Sequence, residues 1–284
     1  MTTTLPILLA YDGSSDARLA LDWAAAEAHR THAPVHVLAV NEVLPPTWGG
    51  VGGIYVYAES YTQDSSGILE EAAKALADAG ITAVTTEQRS GHAVDELLRA
   101  AASASVLVVG SRGHGRAGEA FLGSASQHLA RHATCPVVVV REPRDADATR
   151  IVVGIDGSRT SLGALEYACR RAETTGETVV ALHGWKVRVP STDVWNAEAR
   201  SVDSDERELL LAESLAGVRV DHPDVRLEQE VVAVAPDECL VDASASASLL
   251  VVGSRGLGFF SGMLLGSVSQ AVLSRATCPI AVVR

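Results

Sequence analysis

Positive charge is scarce in this chain: 23 lysines and arginines stand against 35 acidic residues, a net charge of −12. Nucleic acids and anionic membranes select a concentrated basic patch, so neither is expected as a main partner. Cysteine is scarce too, with four residues and no C-x-x-C spacing. That argues against a metal or redox centre and for buried apolar thiols. No apolar run reaches the roughly 18 residues of a membrane helix. The start, Met1-Thr2-Thr3-Thr4-Leu5-Pro6, carries neither a basic region nor a long apolar stretch. The expected setting is the cytoplasm, and an anionic ligand must be held by local geometry.

What the chain does have, it has twice. Gly110-Ser111-Arg112-Gly113 precedes Gly123-Ser124-Ala125-Ser126, and Gly253-Ser254-Arg255-Gly256 precedes Gly266-Ser267-Val268-Ser269. Both read Gly, two residues, Gly, nine residues, Gly-Ser. Val109–Arg141 and Val252–Arg284 share 18 of 33 positions at an offset of 143. Ile7–Ser14 matches Ile151–Ser158 at an offset of 144, one net indel away. The period is far longer than the roughly 20–50 residues of a solenoid unit and suits a whole domain. Two copies of one domain are expected, at residues 1–143 and 150–284, with a polar linker at about 142–149. With 47% hydrophobic and 20% charged residues, each half is composed to bury its own core.

In the first half, Leu5–Tyr11, a continuous apolar run, and Val35–Val40 read as buried strands, and Ile81–Glu87, Val106–Val109 and Val137–Val140 as strands. Helical spacing covers Ala17–His29, with a start at Ser14 or Ser15, then Ile68–Ala79, Ala93–Ala102 and a short stretch around Ala125–Arg131. The second half repeats that order. Strands alternating with helices predict an α/β fold of two tandem, doubly wound, five-stranded, mainly parallel sheets. In such sheets ligands bind beyond the carboxyl ends of the strands. Asp12 and Asp156 follow the first strand of each half, and the glycine loops follow the fourth, so each pair is a candidate for one site.

Gly110 and Gly113 are expected to adopt positive φ and to bring backbone N–H groups close to an anion with no Cβ in the way. Gly123-Ser124 opens a helix whose unpaired N–H groups and dipole favour phosphate. Ser124 and Ser126 could add hydroxyl donors, and Arg112 or Arg116 a charge. The bland alternative is that the glycines only make a turn and Ser124 only caps a helix. It does not require a second Gly-Ser nine residues on, twice. Gly113-His114-Gly115-Arg116-Ala117-Gly118 spells a dinucleotide fingerprint, but it follows the fourth strand and is lost at Gly256-Leu257-Gly258-Phe259-Phe260-Ser261. No G-K-[ST] ending exists, so the P-loop reading lacks its lysine.

On these motifs the sequence resembles the universal stress proteins of the UspA type, in their tandem two-domain form. The resemblance spans nearly the whole chain, and the G-2x-G-9x-G-[S/T] signature marks the ATP-binding members of that family. It implies an adenine nucleotide alpha hydrolase-like fold packed as a pseudo-dimer through the last strands, Val137–Val140 and Ile280–Val283. It also implies ATP in two sites, with Mg²⁺ on the phosphates. The site residues it implies are Ala10, Asp12, Val40, Gly110, Arg112, Gly113, Gly115, Arg116, Gly123, Ser124, Ala125 and Ser126 in the first half. In the second they are Gly154, Asp156, Gly253, Arg255, Gly256, Gly258, Gly266, Ser267, Val268 and Ser269. The two Asp residues belong at the adenosine end, because a carboxylate suits ribose hydroxyls and repels phosphate.

The halves differ where the family packs the adenine ring: Val40 aligns with Gly184, whose neighbours His183 and Trp185 are candidates for a different wall. Phe259, Phe260 and Met263 make the second glycine loop more apolar than the first. The loops at Pro45–Gly67, with Tyr55, Tyr57 and Tyr61, and at Arg188–Glu206, with Trp195, are unlike each other. No nucleophile–base constellation recurs in both halves, and His114 is matched by Leu257. The leading expectation is a nucleotide-dependent regulatory module acting on a protein partner, with a homodimer possible beyond the internal pseudo-dimer. The alternatives are a slow Mg²⁺-dependent ATPase or phosphoryl- or adenylyl-transfer enzyme, and a scaffold with vestigial sites.

Overall fold

A computed structural model describes residues 4–42, 65–113, 122–186, 197–257 and 264–284, with backbone alone at 197–204. The first half runs β1 (Ile7–Ala10), α1 (Ser15–Thr31), β2 (Val35–Glu42), α2 (Ser66–Asp78), β3 (Val84–Gly91), α3 (Ala93–Ala101), β4 (Val106–Gly110), α4 (Ser124–His132) and β5 (Val137–Val140). The second repeats it as β6 (Arg150–Gly154), α5 (Arg159–Thr175), β7 (Thr178–Gly184), α6 (Ala197–Asp221), β8 (Leu227–Val232), α7 (Pro236–Ala243), β9 (Leu249–Gly253), α8 (Ser267–Arg275) and β10 (Ile280–Val283).

The strands order themselves β3-β2-β1-β4-β5-β10-β9-β6-β7-β8. All pairs are parallel except β5 with β10, where Val138 lies opposite Ala281. The two expected five-stranded sheets are thus continuous, joined by the last strand of each half. Valine-rich β4, β5, β9 and β10 are buried on both faces. One apolar core lies under α1, α2, α5 and α6 and the other under α3, α4, α7 and α8, and both run across the seam. At the seam Arg141 donates to the Ala276 and Leu273 carbonyls at 2.5 and 2.7 Å, and Arg284 donates to the Ala130 carbonyl at 3.0 Å. Each arginine thereby closes the carboxyl end of a helix in the opposite half, where a cation suits the dipole.

The Asp-Gly-Ser sequence shapes the turn that starts the first helix of each half. Gly13 and Gly157 take φ of 80° and 81°, in the left-handed region that glycine enters without strain. Ser14 and Ser158 then cap α1 and α5, their hydroxyls accepting the Ala17 and Ser161 N–H groups at 3.2 Å.

Two readings differ from the structure: Ala197–Glu206, taken as part of a loop at Arg188–Glu206, is the start of α6, and β3 covers Val84–Gly91 rather than Ile81–Glu87. Gly80 (φ 84°) turns the chain off α2, and the Ile81 N–H donates back to the Leu76 carbonyl at 2.9 Å. This closure commits Ile81 to the helix end and delays the strand. All four cysteines are free and buried, as expected. Burial pushes the Cys239 thiol up to about 11, and those of Cys169 and Cys278 up to about 12.

Candidate functional site

Each half has a cleft at the carboxyl ends of its strands, and the linings correspond nearly residue for residue. The first is formed by Ala10, Tyr11, Asp12, Ala17, Leu38, Val40, Ala93, Leu97, Val109, Gly110, Arg112, Gly113, Ala125 and Ser126. The second is formed by Gly154, Ile155, Asp156, Ser161, Leu182, Gly184, Pro236, Leu240, Val252, Gly253, Arg255, Gly256, Gly266, Ser267, Val268 and Ser269. Their volumes are about 130 and 220 Å³. Glycines stand at 154 and 184, where the first half has Ala10 and Val40.

The glycine pairs are needed for close approach. A Cβ on Gly110 would lie 2.7 Å from the Asp16 carbonyl carbon, and one on Gly253 would lie 2.8 Å from that of Thr160. The fourth strand of each half thus ends hard against the first turn of α1 or α5. A Cβ on Gly113 would lie 2.6 Å from Asp12 Oδ2, and one on Gly256 would overlap Asp156 Oδ2. The expectation of positive φ at Gly110 and Gly113 is corrected: that conformation belongs to Gly13 and Gly157. The missing side chain, rather than the backbone angle, is what these positions require.

Gly123 and Gly266 are the N-cap residues of α4 and α8, and their N–H groups donate to the Ser111 and Ser254 carbonyls at 2.8 Å. Ser126 and Ser269, buried in the first turn of those helices, donate their hydroxyls to the Gly110 and Gly253 carbonyls at 2.8 and 2.6 Å. Those protons face a strand-end carbonyl rather than the cleft, a correction to their expected use as outward donors. Gly123 and Ser124 do not line the first cleft, whereas Gly266 and Ser267 line the second. Gly115, Arg116, Gly258, His114, Phe259, Phe260 and Met263 lie outside the described residues, as do Tyr55, Tyr57, Tyr61 and Trp195.

Asp12 Oδ1 accepts the Ser14 N–H at 3.0 Å, and Asp156 Oδ1 accepts the Ser158 N–H at 3.0 Å. Asp156 Oδ2 also accepts the Leu257 N–H at 2.9 Å, which ties the second glycine loop to the end of β6. Burial raises the Asp156 carboxyl, but hydrogen bonds from Ser158 and Leu257 outweigh it and hold the group below the usual carboxylate range. It stands ionised at neutral pH.

A cluster beside the first cleft carries no sequence signal. Buried Asp16 accepts the Ser111 hydroxyl at 2.5 Å and Arg112 Nε at 3.1 Å. Burial pushes the Asp16 carboxyl up, and the bonds from Ser111 and Arg112 overcome this and bring it below its ordinary value. In the second half Thr160 replaces it, donating to the Arg255 carbonyl, and the Ser254 hydroxyl is buried with no partner among the described residues. The α3 and α7 walls, Ala93 and Leu97 with Pro236 and Leu240, were also missed, because apolar residues at helical spacing read only as core.

His183 and Trp185 are corrected: neither lines the second cleft. His183 Nδ1 is held by the Ile155 carbonyl at 2.7 Å. The space at Gly184 is closed by α7, since a Cβ there would overlap Cys239 Sγ and lie 2.9 Å from Pro236 Cα. Among the described residues no helix is long and apolar enough to cross a membrane, and no group of three His, Cys, Asp or Glu is placed to hold a metal.

Fold and clefts together define a duplicated, doubly wound α/β protein with one glycine-framed cleft per half. The model of the universal stress protein family matches twice, over residues 4–141 and 148–284, and the chain belongs to that family in its tandem two-domain form. A universal stress protein of Mycolicibacterium smegmatis is 36% identical over 99% of this chain and 98% of its own length. One from Mycobacterium tuberculosis is 34% identical over 99% and 96%. The crystal structure of a universal stress protein from Archaeoglobus fulgidus shares the fold, with a TM-score of 0.68 and 21% identity over 100% of this chain and 99% of that one.

Proposed function

We propose that the chain is a nucleotide-binding regulatory module whose halves each hold one ATP, with Mg²⁺ carried on the phosphates. The observation that supports this most is the repeated absence of room for a Cβ at Gly113 and Gly256 against the Asp12 and Asp156 carboxylates. Those positions keep backbone, rather than side chain, at the mouth of each cleft.

The residues fit such a ligand. Leu38, Val40 and Leu97, with Leu182, Pro236 and Leu240, offer flat apolar walls to a base. Asp12 and Asp156 suit ribose hydroxyls, which donate. The glycine loops and the starts of α4 and α8 suit phosphate through unpaired N–H groups and the helix dipole. In this reading occupancy alters the loops after β4 and β9, and through them recognition of a protein partner in the cytoplasm.

Calorimetric titration with ATP and MgCl₂ tests the reading. The expected stoichiometry is about two per chain, falling to about one for Gly113→Val, whose side chain would run into Asp12. Absence of binding heat contradicts it. Steady ADP release that needs Mg²⁺ and is lost in Asp12→Ala would instead favour an ATPase.

A further inference from the structure

An offset of 144 carries Trp23, Glu27 and Arg30 of α1 onto Tyr167, Arg171 and Thr174 of α5. These same residues meet across the seam. Arg171 Nη1 donates to Glu27 Oε2 at 2.5 Å, with the two side chains 14% and 5% exposed. Arg30 Nη1 donates to Thr174 Oγ1 at 2.9 Å. Each contact joins a residue to its own repeat equivalent, which puts both on the pseudo-twofold axis relating the halves. The sheet agrees, because Val138 lies opposite Ala281, its equivalent at offset 143.

The surroundings of the pair are lopsided. Arg30 also donates to Glu27, so this buried carboxylate takes one arginine from each half. The Arg171 guanidinium stands 5.1 Å over the Trp23 ring, while the Tyr167 hydroxyl is buried with no partner among the described residues. Arg171 Nε lies 3.8 Å from Glu177 in its own half.

A residue on a twofold axis meets its own copy when two like halves pair. Two first halves would bury Glu27 against Glu27 and set Arg30 against Arg30. Two second halves would bury Arg171 against Arg171. Like charges brought together out of water oppose association and act as a rejection device.

We infer that the α1–α5 seam is a charge-coded lock that admits only an unlike half. The partner surface it fits carries a cation opposite Glu27 and a hydrogen-bond acceptor opposite Arg30. The second half of the chain provides both, whereas a second copy of the first half would set Glu27 opposite Glu27 and Arg30 opposite Arg30, with only the Arg30–Glu27 pairs to offset the repulsion. A dimer of whole chains must therefore form on another surface.

Charge reversal in the full chain tests the lock. Glu27→Arg recreates the charges of a second-half pair at the axis, and Arg171→Glu those of a first-half pair. Each should lower Tm by about 5–10 °C. The double variant E27R/R171E should regain more than half of the summed loss, with Arg30 and Glu177 keeping the recovery partial. Single variants within about 2 °C of the parent, or a double variant whose losses simply add, would overturn the lock. If the single variants do not fold, the double variant decides: a cooperative transition supports the lock, and an unfolded chain refutes it.

Discussion

At the first turn of α1 the carboxylate of Asp16 holds the Ser111 hydroxyl and Arg112 Nε, while at the same turn of α5 the hydroxyl of Thr160 holds the Arg255 carbonyl. The backbone around these positions is nearly the same. Gly110 and Gly253 both press on the first helical turn, and Gly113 and Gly256 both press on the aspartate after the first strand. Close backbone approach is thus the shared requirement of the two clefts, while the charge at their rim and the wall at their base have diverged. The first cleft has an extra buried acid and a valine wall. The second has a threonine, and α7 fills the place of that wall.

The largest effect that would break this comparison comes from forcing the valine wall onto the second half. Gly184→Val drives a side chain into Cys239, Pro236 and the Val234 carbonyl. It should cost about 1–3 kcal/mol of stability, as overpacking does. Chemical denaturation measures it, and an unchanged midpoint would mean that α7 simply moves aside.

A smaller effect sharpens the electrostatic side. Thr160→Asp places a carboxylate beside Arg255 and should weaken ATP binding in the second cleft by roughly three- to tenfold, about 1 kcal/mol. Asp16→Thr should strengthen the first cleft by a similar factor. Titrations in which Gly113→Val or Gly256→Val silences the other site separate the two, and equal affinities in every variant would remove charge from the account.

The smallest effect concerns pH and the helices that flank the sheet. In the second half His222 sits between Glu173 and Glu166, with Nδ1 and Nε2 at 2.6 and 2.9 Å from their carboxylates, and so pins the end of α6 to α5. The hydrogen bond to Glu173 leads the effects that raise its pKa against the opposing effect of burial, with Glu166 adding to the rise. A raised folded value means that this stabilisation is fully present below the unfolded value of about 6.5 and is lost as pH climbs through the folded one. The first half has Asp78 and Ala79 at the corresponding place, where His29 Nε2 bonds the Ala79 carbonyl at 2.6 Å, a contact that needs no charge on the ring. Hydrogen exchange should therefore quicken in α6 above neutrality while α2 keeps its protection, and equal behaviour of the two helices would sink the assignment.

Much of this was legible in the sequence because it repeats: the duplication follows from spacing, the parallel fold from strands alternating with helices, and the pairing of Asp12 and Asp156 with their glycine loops from their places after strand ends. The Asp16–Ser111–Arg112 cluster was not, since its members lie 95 and 96 residues apart and no periodicity marks them. The start of β3 was misplaced because Ile81 is apolar in either setting, and only the Gly80 turn assigns its N–H to the helix. The glycines were recognised and the reason for them was not. A sequence shows that a side chain is missing, while the structure shows which atom stands where it would be.

Whether each half holds one adenine nucleotide is tested by purifying the chain without added nucleotide, denaturing it and quantifying what is released by chromatography and mass spectrometry. About two ATP per chain are expected, seen instead as binding heat on titration if the protein emerges empty. No released nucleotide together with no heat on adding ATP would contradict that expectation and leave the glycine loops a purely structural feature.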